Sequence, residues 1–338
     1  MSTELNLTNE QMMDGKQSES LVIGGEHWRD AFTKEEVRDL LRVNNWRSAG
    51  SFVINWGLTG ASFAAVIAWP NVVTVLAALF VIGGRQLGMS VLMHEAAHRT
   101  LFTNRKANDF FGNWFAAFPV WADLGPYRNY HLKHHAHTWT EKDPDLGLST
   151  PFPITRDSLK RKIWRDLSGQ TGWKRFRATL RRDLSLSNGK SGRQGAQSAV
   201  EAMRGVVITN LAMLAVLTAI GHPALYLLWI GAWFTTYSLL LRIRAIAEHS
   251  MVSDPANPLQ NSRTTIVPWW QRLIFAPNYV NYHLEHHLLM TVPHHNLARM
   301  HRMMNERGLL GNANVMYGYG EVLEKASSQP VALGTVAA

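Results

Sequence analysis

There is no cysteine in the 338 residues. That absence removes disulfides, iron–sulfur clusters, thiolate zinc sites and a cysteine nucleophile from this chain. Any electrons that its chemistry needs must arrive from another protein or a bound cofactor. Charge is missing from two long runs: no Asp, Glu, Lys or Arg occurs from Gly50 to Gly84 or from Gly205 to Leu241. Each run is long enough to cross a bilayer twice. The mean hydropathy of −0.12 conceals them because the rest of the chain is polar. Residues 1–19 lack the apolar core of a signal peptide, so the first apolar run is expected to remain as an anchor.

The first run divides at Pro70-Asn71, a turn signal, and the second at Gly221-His222-Pro223. The predicted spans are 51–69, 72–93, 206–220 and 224–246. Neither turn carries Lys or Arg, so the positive-inside bias turns both outward and leaves the ends of both hairpins in the cytoplasm. The expected fold is an all-α integral membrane protein with four transmembrane helices in two hairpins. A cytoplasmic helical cap carries a histidine-rich di-metal site, and both termini are cytoplasmic. Residues 1–32 read as a polar, disordered segment, 33–320 as one membrane domain and 321–338 as a flexible tail. Thr33-Lys-Glu-Glu36 is a capping box that opens a short amphipathic helix through Val37, Leu40 and Leu41. The aromatic stretch Asp109–Ala122 is too short to span and suits the interface. Arg85 and Gln86 fall roughly two turns before His94, where a charged group faces protein or a watery cavity. Residues 251–280 read as a polar loop.

The formal charge is +9, and it is concentrated. From Arg156 to Arg193 there are 12 Lys or Arg against 3 Asp, an excess equal to that of the whole chain. Nucleic-acid binding is one reading. A cytoplasmic loop obeying the positive-inside bias is the other, and its place between apolar spans favours it. No nucleic-acid partner is expected.

The histidines carry the chemistry. They read His94-Glu-Ala-Ala-His98, His131-Leu-Lys-His134-His135, a lone His249, and His283-Leu-Glu-His286-His287. Residues three and four apart share a helix face, so the members of each box point together. Imidazole is the commonest metal ligand, and eight or nine of them exceed one tetrahedral site, which implies two ions. Hydrogen-bonded core histidines would have to explain three clusters on one membrane face. The first box also matches the H-E-x-x-H motif of zinc proteases, with Glu95 activating water, but that reading leaves the other boxes unused. Neutral imidazoles without thiolates make iron a sensible metal; zinc, copper and nickel also accept them. Asp143 and Asp145 fit two roles equally, orienting a ligand histidine or capping the turn at Pro144. Asn281 is a candidate to hold a metal-bound water. Glu95 and Glu285 point away from the ligand faces of their boxes. His137, His294, His295 and His301 stand outside the motifs.

These three boxes, HEAAH, HLKHH and HLEHH, resemble those of the membrane fatty acid desaturases, a family that shares its fold with membrane hydroxylases and carotenoid ketolases. The resemblance covers roughly residues 50–310. It implies a cytoplasmic di-iron centre that uses dioxygen as co-substrate to abstract hydrogen from an acyl chain. The implied iron ligands are His94, His98, His131, His134, His135, His283, His286 and His287. The stretch ending at His249 resembles the additional ligand between boxes two and three. The third box begins with His283 rather than the Gln of front-end desaturases. The chain therefore looks like the simpler bacterial acyl-lipid type. The expected partners are a lipid acyl substrate, the bacterial inner membrane and a separate ferredoxin-like electron donor docking on the basic loop. A hydroxylase or ketolase acting on a lipid or carotenoid is the alternative on the same scaffold.

Overall fold

The computed structural model describes residues 22–23, 26–27, 31–185 and 193–330. A short antiparallel pair, β1 (Val22–Ile23) and β2 (Glu26–His27), precedes the first helix. Most of the segment read as disordered lies outside the described residues, but Phe32 is buried. Helix α1 (Lys34–Leu40) begins at the expected capping box, with the Thr33 hydroxyl and the Glu36 carboxylate each accepting a backbone N–H of the other residue. Two long helices follow, α2 (Asn45–Ala68) and α3 (Val72–Ala97), separated by the Pro70-Asn71 turn. The side chain of Asn71 caps α3 by accepting from Thr74 N at 3.0 Å. Both helical segments are long and apolar enough to cross a membrane.

Helix α3 is the axis of the molecule, and its two halves differ. Val72, Val73, Leu76 and Phe80 are exposed, whereas every residue from Ile82 to His98 is buried. A helix buried on all sides must be surrounded, and here α2 covers one face. Gly88 makes that contact close: a Cβ there would strike the Asn55 side chain.

The chain then runs through α4 (Arg105–Gly112), a π turn (Asn113–Ala117) and a 3-10 turn (Phe118–Val120) into α5 (Leu124–His137), which carries box two. A short turn, α6 (Leu146–Ser149), follows. The basic segment, expected as a loop, is largely helical: α7 (Arg156–Leu167) and α8 (Gln170–Ser185). Thr155 caps α7, accepting from Ser158 N, and Leu159 buries itself against the body of the protein. Charge density masked these signals in the sequence.

Helix α9 (Arg193–Ala219) leads to the Gly221-His222-Pro223 turn. The return was expected as one helix over 224–246, but it is broken into α10 (Leu225–Phe234) and α11 (Thr236–His249) at Thr235. The Thr236 hydroxyl donates to the Leu79 carbonyl of α3 at 2.6 Å, and the Tyr237 hydroxyl meets Ser90 at 2.8 Å. Gly83 permits this approach, since a Cβ would collide with Thr236 Oγ1 and the Tyr237 amide. The break is thus the price of two side-chain tethers to the central helix.

The segment 251–280 is not simply a polar loop. It contains β3 (Thr264–Ile266), α12 (Trp269–Phe275) and a 3-10 turn at Pro277–Tyr279. Box three lies on the short helix α13 (His283–Leu288), backed by α14 (His294–Glu306). Leu284, Val292, Met300 and Met304 are wholly buried beneath it. Each contributes about 1.5–3 kcal/mol by burial, which fixes so short a helix. Strand β3 pairs in parallel with β4 (Val315–Tyr317). The expected flexible tail is ordered at its start: α15 (Gly318–Ala326) buries Tyr319, Val322 and Ala326. Beyond it, Ser328 forms a bridge to Thr155. Apart from these short ladders, the described residues are predominantly helical, as expected.

Candidate metal centre

The end of α3 supplies His94 and His98, α5 supplies His131, His134 and His135, the end of α11 supplies His249, and α13 supplies His283, His286 and His287. All nine come together in two groups. One contains His94, His98, His131, His135 and His286; the other contains His134, His249, His283 and His287. Within each group the candidate ligand atoms lie within 4.8 Å of one another. The partition follows helix geometry. Positions four apart serve one group, as in His94/His98, His131/His135 and His283/His287. The intervening or adjacent histidine, His134 or His286, turns to the other. The boxes were expected to present their histidines together; instead boxes two and three are each divided between two neighbouring groups.

The Nε2 atoms face one another at short range. His131 to His98 is 2.9 Å, His135 to His131 is 3.0 Å and His286 to His135 is 3.1 Å. In the second group His283 to His249 is 2.9 Å, His287 to His283 is 3.1 Å and His134 to His249 is 3.2 Å. An Nε2 atom supplies one lone pair or one proton, so a chain of such contacts cannot be satisfied by imidazoles alone. Nitrogens bound at right angles to one ion at about 2.1 Å stand about 3 Å apart. The buried His94 Nε2 has no hydrogen-bond partner among the described residues. The donor set therefore fits two metal ions, one facing five imidazoles and one facing four.

The far nitrogens explain why Nε2 points inward. His134 Nδ1 lies 2.8 Å from Asp143 Oδ1, and His249 Nδ1 lies 3.1 Å from the Asn261 carbonyl. With the proton held at Nδ1 in both, the Nε2 lone pair is left free. Trp139 ties these two supports together. Its backbone N–H donates to Asp143 Oδ2 at 2.9 Å and its indole N–H donates to the Asn261 carbonyl at 2.7 Å. Tyr127 stacks on His131 with ring centroids 5.4 Å apart. Burial, reinforced by the neighbouring imidazoles, pushes His131, His135, His283, His286 and His287 well below the usual histidine pKa. They are therefore neutral, the form a metal requires. Burial alone would raise the Asp143 pKa, but hydrogen bonds from His134 and from the Asp145 and Trp139 amides bring it below the usual carboxylate value.

Both roles weighed for Asp143 prove compatible, since it holds His134 and accepts the amides of its own turn. Asp145 stands farther off, 3.8 Å from His134 Nδ1, and accepts the Tyr130 hydroxyl. Asn281 donates its amide to the Thr265 carbonyl at 3.1 Å, fastening box three to β3, while its buried Oδ1 has no hydrogen-bond partner among the described residues. Glu95 and Glu285 are both buried and neither joins the two histidine groups, although Glu95 Oε1 lies 3.4 Å from His94 Nδ1. Glu95 Oε2 accepts the Thr100 hydroxyl and the His294 amide, each at 2.9 Å, so it is committed to structure and is not poised as a protease base. Glu285 Oε1 meets His301 Nδ1 at 2.6 Å and its other oxygen accepts Thr264 Oγ1. Sequence reading had set His294 and His301 aside. They are seven residues apart on one face of α14, where the His294 amide meets Glu95 and the His301 ring meets Glu285. Glu248 was missed as well: its Oε1 accepts Arg244 Nε at 2.5 Å and lies 3.5 Å from His283 Nδ1, outside hydrogen-bond geometry.

A family profile described as fatty acid desaturase matches residues 38–319. The chain belongs to the fatty acid desaturase family. All nine histidines fall within the matched region. A desaturase relative, the dihydrorhizobitoxine desaturase of Bradyrhizobium elkanii, is 30% identical over 226 residues, covering 64% of this chain and 63% of that protein. The zeaxanthin 4-ketolase of Chlamydomonas reinhardtii is 31% identical over 80 residues, 23% of this chain and 18% of that protein. The chain thus matches less than two thirds of the length of either relative.

Proposed function

We propose that the chain is an integral membrane oxidoreductase that introduces a double bond into a lipid acyl chain. The observation that carries this reading is the pair of convergent imidazole groups in a member of the desaturase family. The group of five and the group of four would each hold one iron. When bound, the irons would supply dioxygen-dependent oxidation of an unactivated C–H bond. In balance, the acyl chain loses two hydrogens, two electrons and two protons enter, and dioxygen leaves as two waters. The residues of this chain keep the imidazoles neutral, hold protons at the Nδ1 atoms of His134 and His249, and fix the ring of His131 by stacking.

Four helical crossings are proposed: α2, α3, α9 and the broken pair α10–α11. Their outward faces carry exposed Val53, Val73, Leu211, Val216 and Leu227, an apolar belt suited to lipid. In this arrangement the metal centre and both termini lie on the cytoplasmic side of a bacterial inner membrane. Mass spectrometry of total lipids from cells expressing the wild type or His134→Ala tests the activity. Lipids lighter by two hydrogens in the wild type alone are expected. An added oxygen instead would replace the desaturase with a hydroxylase or ketolase, the reading that the algal ketolase relative favours. Unchanged lipids, in a host shown to hold a competent donor and a range of acyl chains, would defeat both.

A separate electron donor is also proposed, of acidic, ferredoxin-like surface. Lys160, Arg161, Arg165, Lys174, Arg177 and Arg181 are exposed along α7 and α8 and would receive it. Neutralising Arg181 together with Arg182 is expected to slow turnover several-fold with a protein donor at low salt and leave turnover with a chemical reductant unchanged. Equal rates from the variant and the wild type with the protein donor would remove this docking surface.

A further inference from the structure

Helix α12 lies in a stretch that the sequence assigns to a polar loop, and none of its residues is buried. Its polarity is inverted. Gln271 turns inward, its Oε1 accepting the Tyr319 amide at 3.3 Å, and the Arg272 guanidinium lies over the Tyr279 ring, 4.8 Å from the centroid. Trp269, Trp270 and Leu273 are the exposed side chains, Trp269 at 71%, and Pro268 is exposed before them. Trp269 and Leu273 stand four apart and Trp270 and Leu273 three apart, so one face carries all three. A helix on the surface of a water-soluble body shows the opposite order, with polar residues outward and apolar residues inward. Tyr317, the ladder partner of Ile266, adds a further ring at 72% exposure. Glu321 accepts the Tyr317 amide at 2.7 Å, which sets a polar rim on that side.

The place of α12 against α3 identifies what covers this face. Phe80 is the last exposed residue of α3, and Gly84 follows it one turn later, about 6 Å along the axis. The Ile274 carbonyl packs there, 3.1 Å from where a Gly84 Cβ would stand. Helix α12 therefore abuts α3 where the exposed apolar run of Val72, Val73, Leu76 and Phe80 ends and the buried run to His98 begins. One turn nearer His94, the Asn278 amide donates to the Gly88 carbonyl at 2.9 Å and fastens the segment that leads into box three. The outward rings thus adjoin the apolar belt on its metal-bearing side. Indole and phenol rings favour the boundary between hydrocarbon and head groups, where the ring is in apolar surroundings and its N–H or O–H is wet. The outward side chains of α12 carry no charge, so zwitterionic lipid is enough to hold them.

We propose that α12 is a fifth membrane contact, seated in the head-group boundary through Trp269, Trp270 and Leu273, so that the bilayer surface holds the segment leading into box three. The proposal rests on the membrane reading of α3, and the test separates the two. With no cysteine in the chain, one introduced thiol takes a bimane label alone. Labels at Leu273→Cys and at Trp269→Cys would be read in the iron-loaded full chain in phosphatidylcholine nanodiscs. Quenching by lipids brominated along the acyl chain is compared with quenching by iodide in the water. Leu76→Cys on the belt and Glu306→Cys on the exposed end of α14 are the lipid and water standards. Both α12 labels are expected to be quenched several-fold more by brominated lipid than the Glu306→Cys label, at a depth of about 5–10 Å. Either label decides alone if the other variant fails to fold. Iodide quenching at α12 equal to that at Glu306→Cys, with Leu76→Cys in lipid, would overturn this contact and leave the crossings standing. Protection from both quenchers would also overturn it, since a second copy or a partner protein would then cover the face. Iodide access at Leu76→Cys would remove the membrane reading of α3 and this contact with it.

Discussion

Replacing His249 with Ala should halve the iron content of the protein purified at saturating iron and reduce the desaturated product by more than about a hundredfold. Even a hydrogen-bond partner of a metal ligand is worth about 10–100-fold in affinity or activity, and on the proposed reading His249 would stand one step closer, as a ligand. It belongs to the group of four, where its Nε2 lies 2.9 Å from that of His283 and 3.2 Å from that of His134. Three imidazoles would remain there, against five in the intact group. Metal analysis and lipid mass spectrometry on one preparation check both halves of the statement. Two irons per chain with normal product would show that His249 is a core histidine placed near the centre by packing alone.

Loss of the Asp143 carboxylate is the second large effect. Asp143→Ala should weaken iron at the four-histidine group by about 10–100-fold, measured by competition with a chromophoric chelator. The change removes the acceptor for His134 Nδ1 and frees the imidazole to rotate or to protonate the wrong nitrogen. It also removes the acceptors for the Trp139 and Asp145 amides, so some loss of thermal stability should accompany it. Asp143→Asn retains an oxygen that can accept from His134 and should fall between the two. If the alanine variant lowers the unfolding temperature but leaves iron affinity intact, Asp143 is a turn residue only.

The box spacing was legible because helical periodicity is local. Four residues return a side chain to the same face whatever surrounds it, so the pairs His94/His98, His131/His135 and His283/His287 could be read directly. Their sorting into two groups could not, because it depends on what stands opposite each face. Adjacent His134 and His135 differ by about 100° in direction, and only the packing of α5 against α3, α11 and α13 decides what each meets. The break at Thr235 was hidden for a similar reason. Two threonines in an apolar run look like ordinary helix until the carbonyl of Leu79 and the bare backbone of Gly83 are brought beside them. The order of α15 was available in principle, since Tyr319, Val322 and Ala326 repeat at helical spacing, but so short a stripe carries little weight without the surface that buries it. Arg85 was expected to face protein or a watery cavity. It is buried, with no hydrogen bond or ion pair to its guanidinium among the described residues.

Helices α5 and α13 each feed both histidine groups, and this has a consequence for how the protein would acquire metal. Without metal, both helices, the short α13 above all, would have to be held in register against a crowd of unshared lone pairs. On the proposed two-iron reading, the first ion to bind would relieve part of that crowding and fix the two helices, so the ordering cost would fall on that step alone. The second ion would then meet ligands already in place, and the two affinities would be coupled whichever group fills first. At limiting iron the population should sort into empty and doubly loaded chains, with few half-loaded ones. Loading would then be all-or-none, and the enzyme would seldom hold a lone redox-active ion with dioxygen nearby.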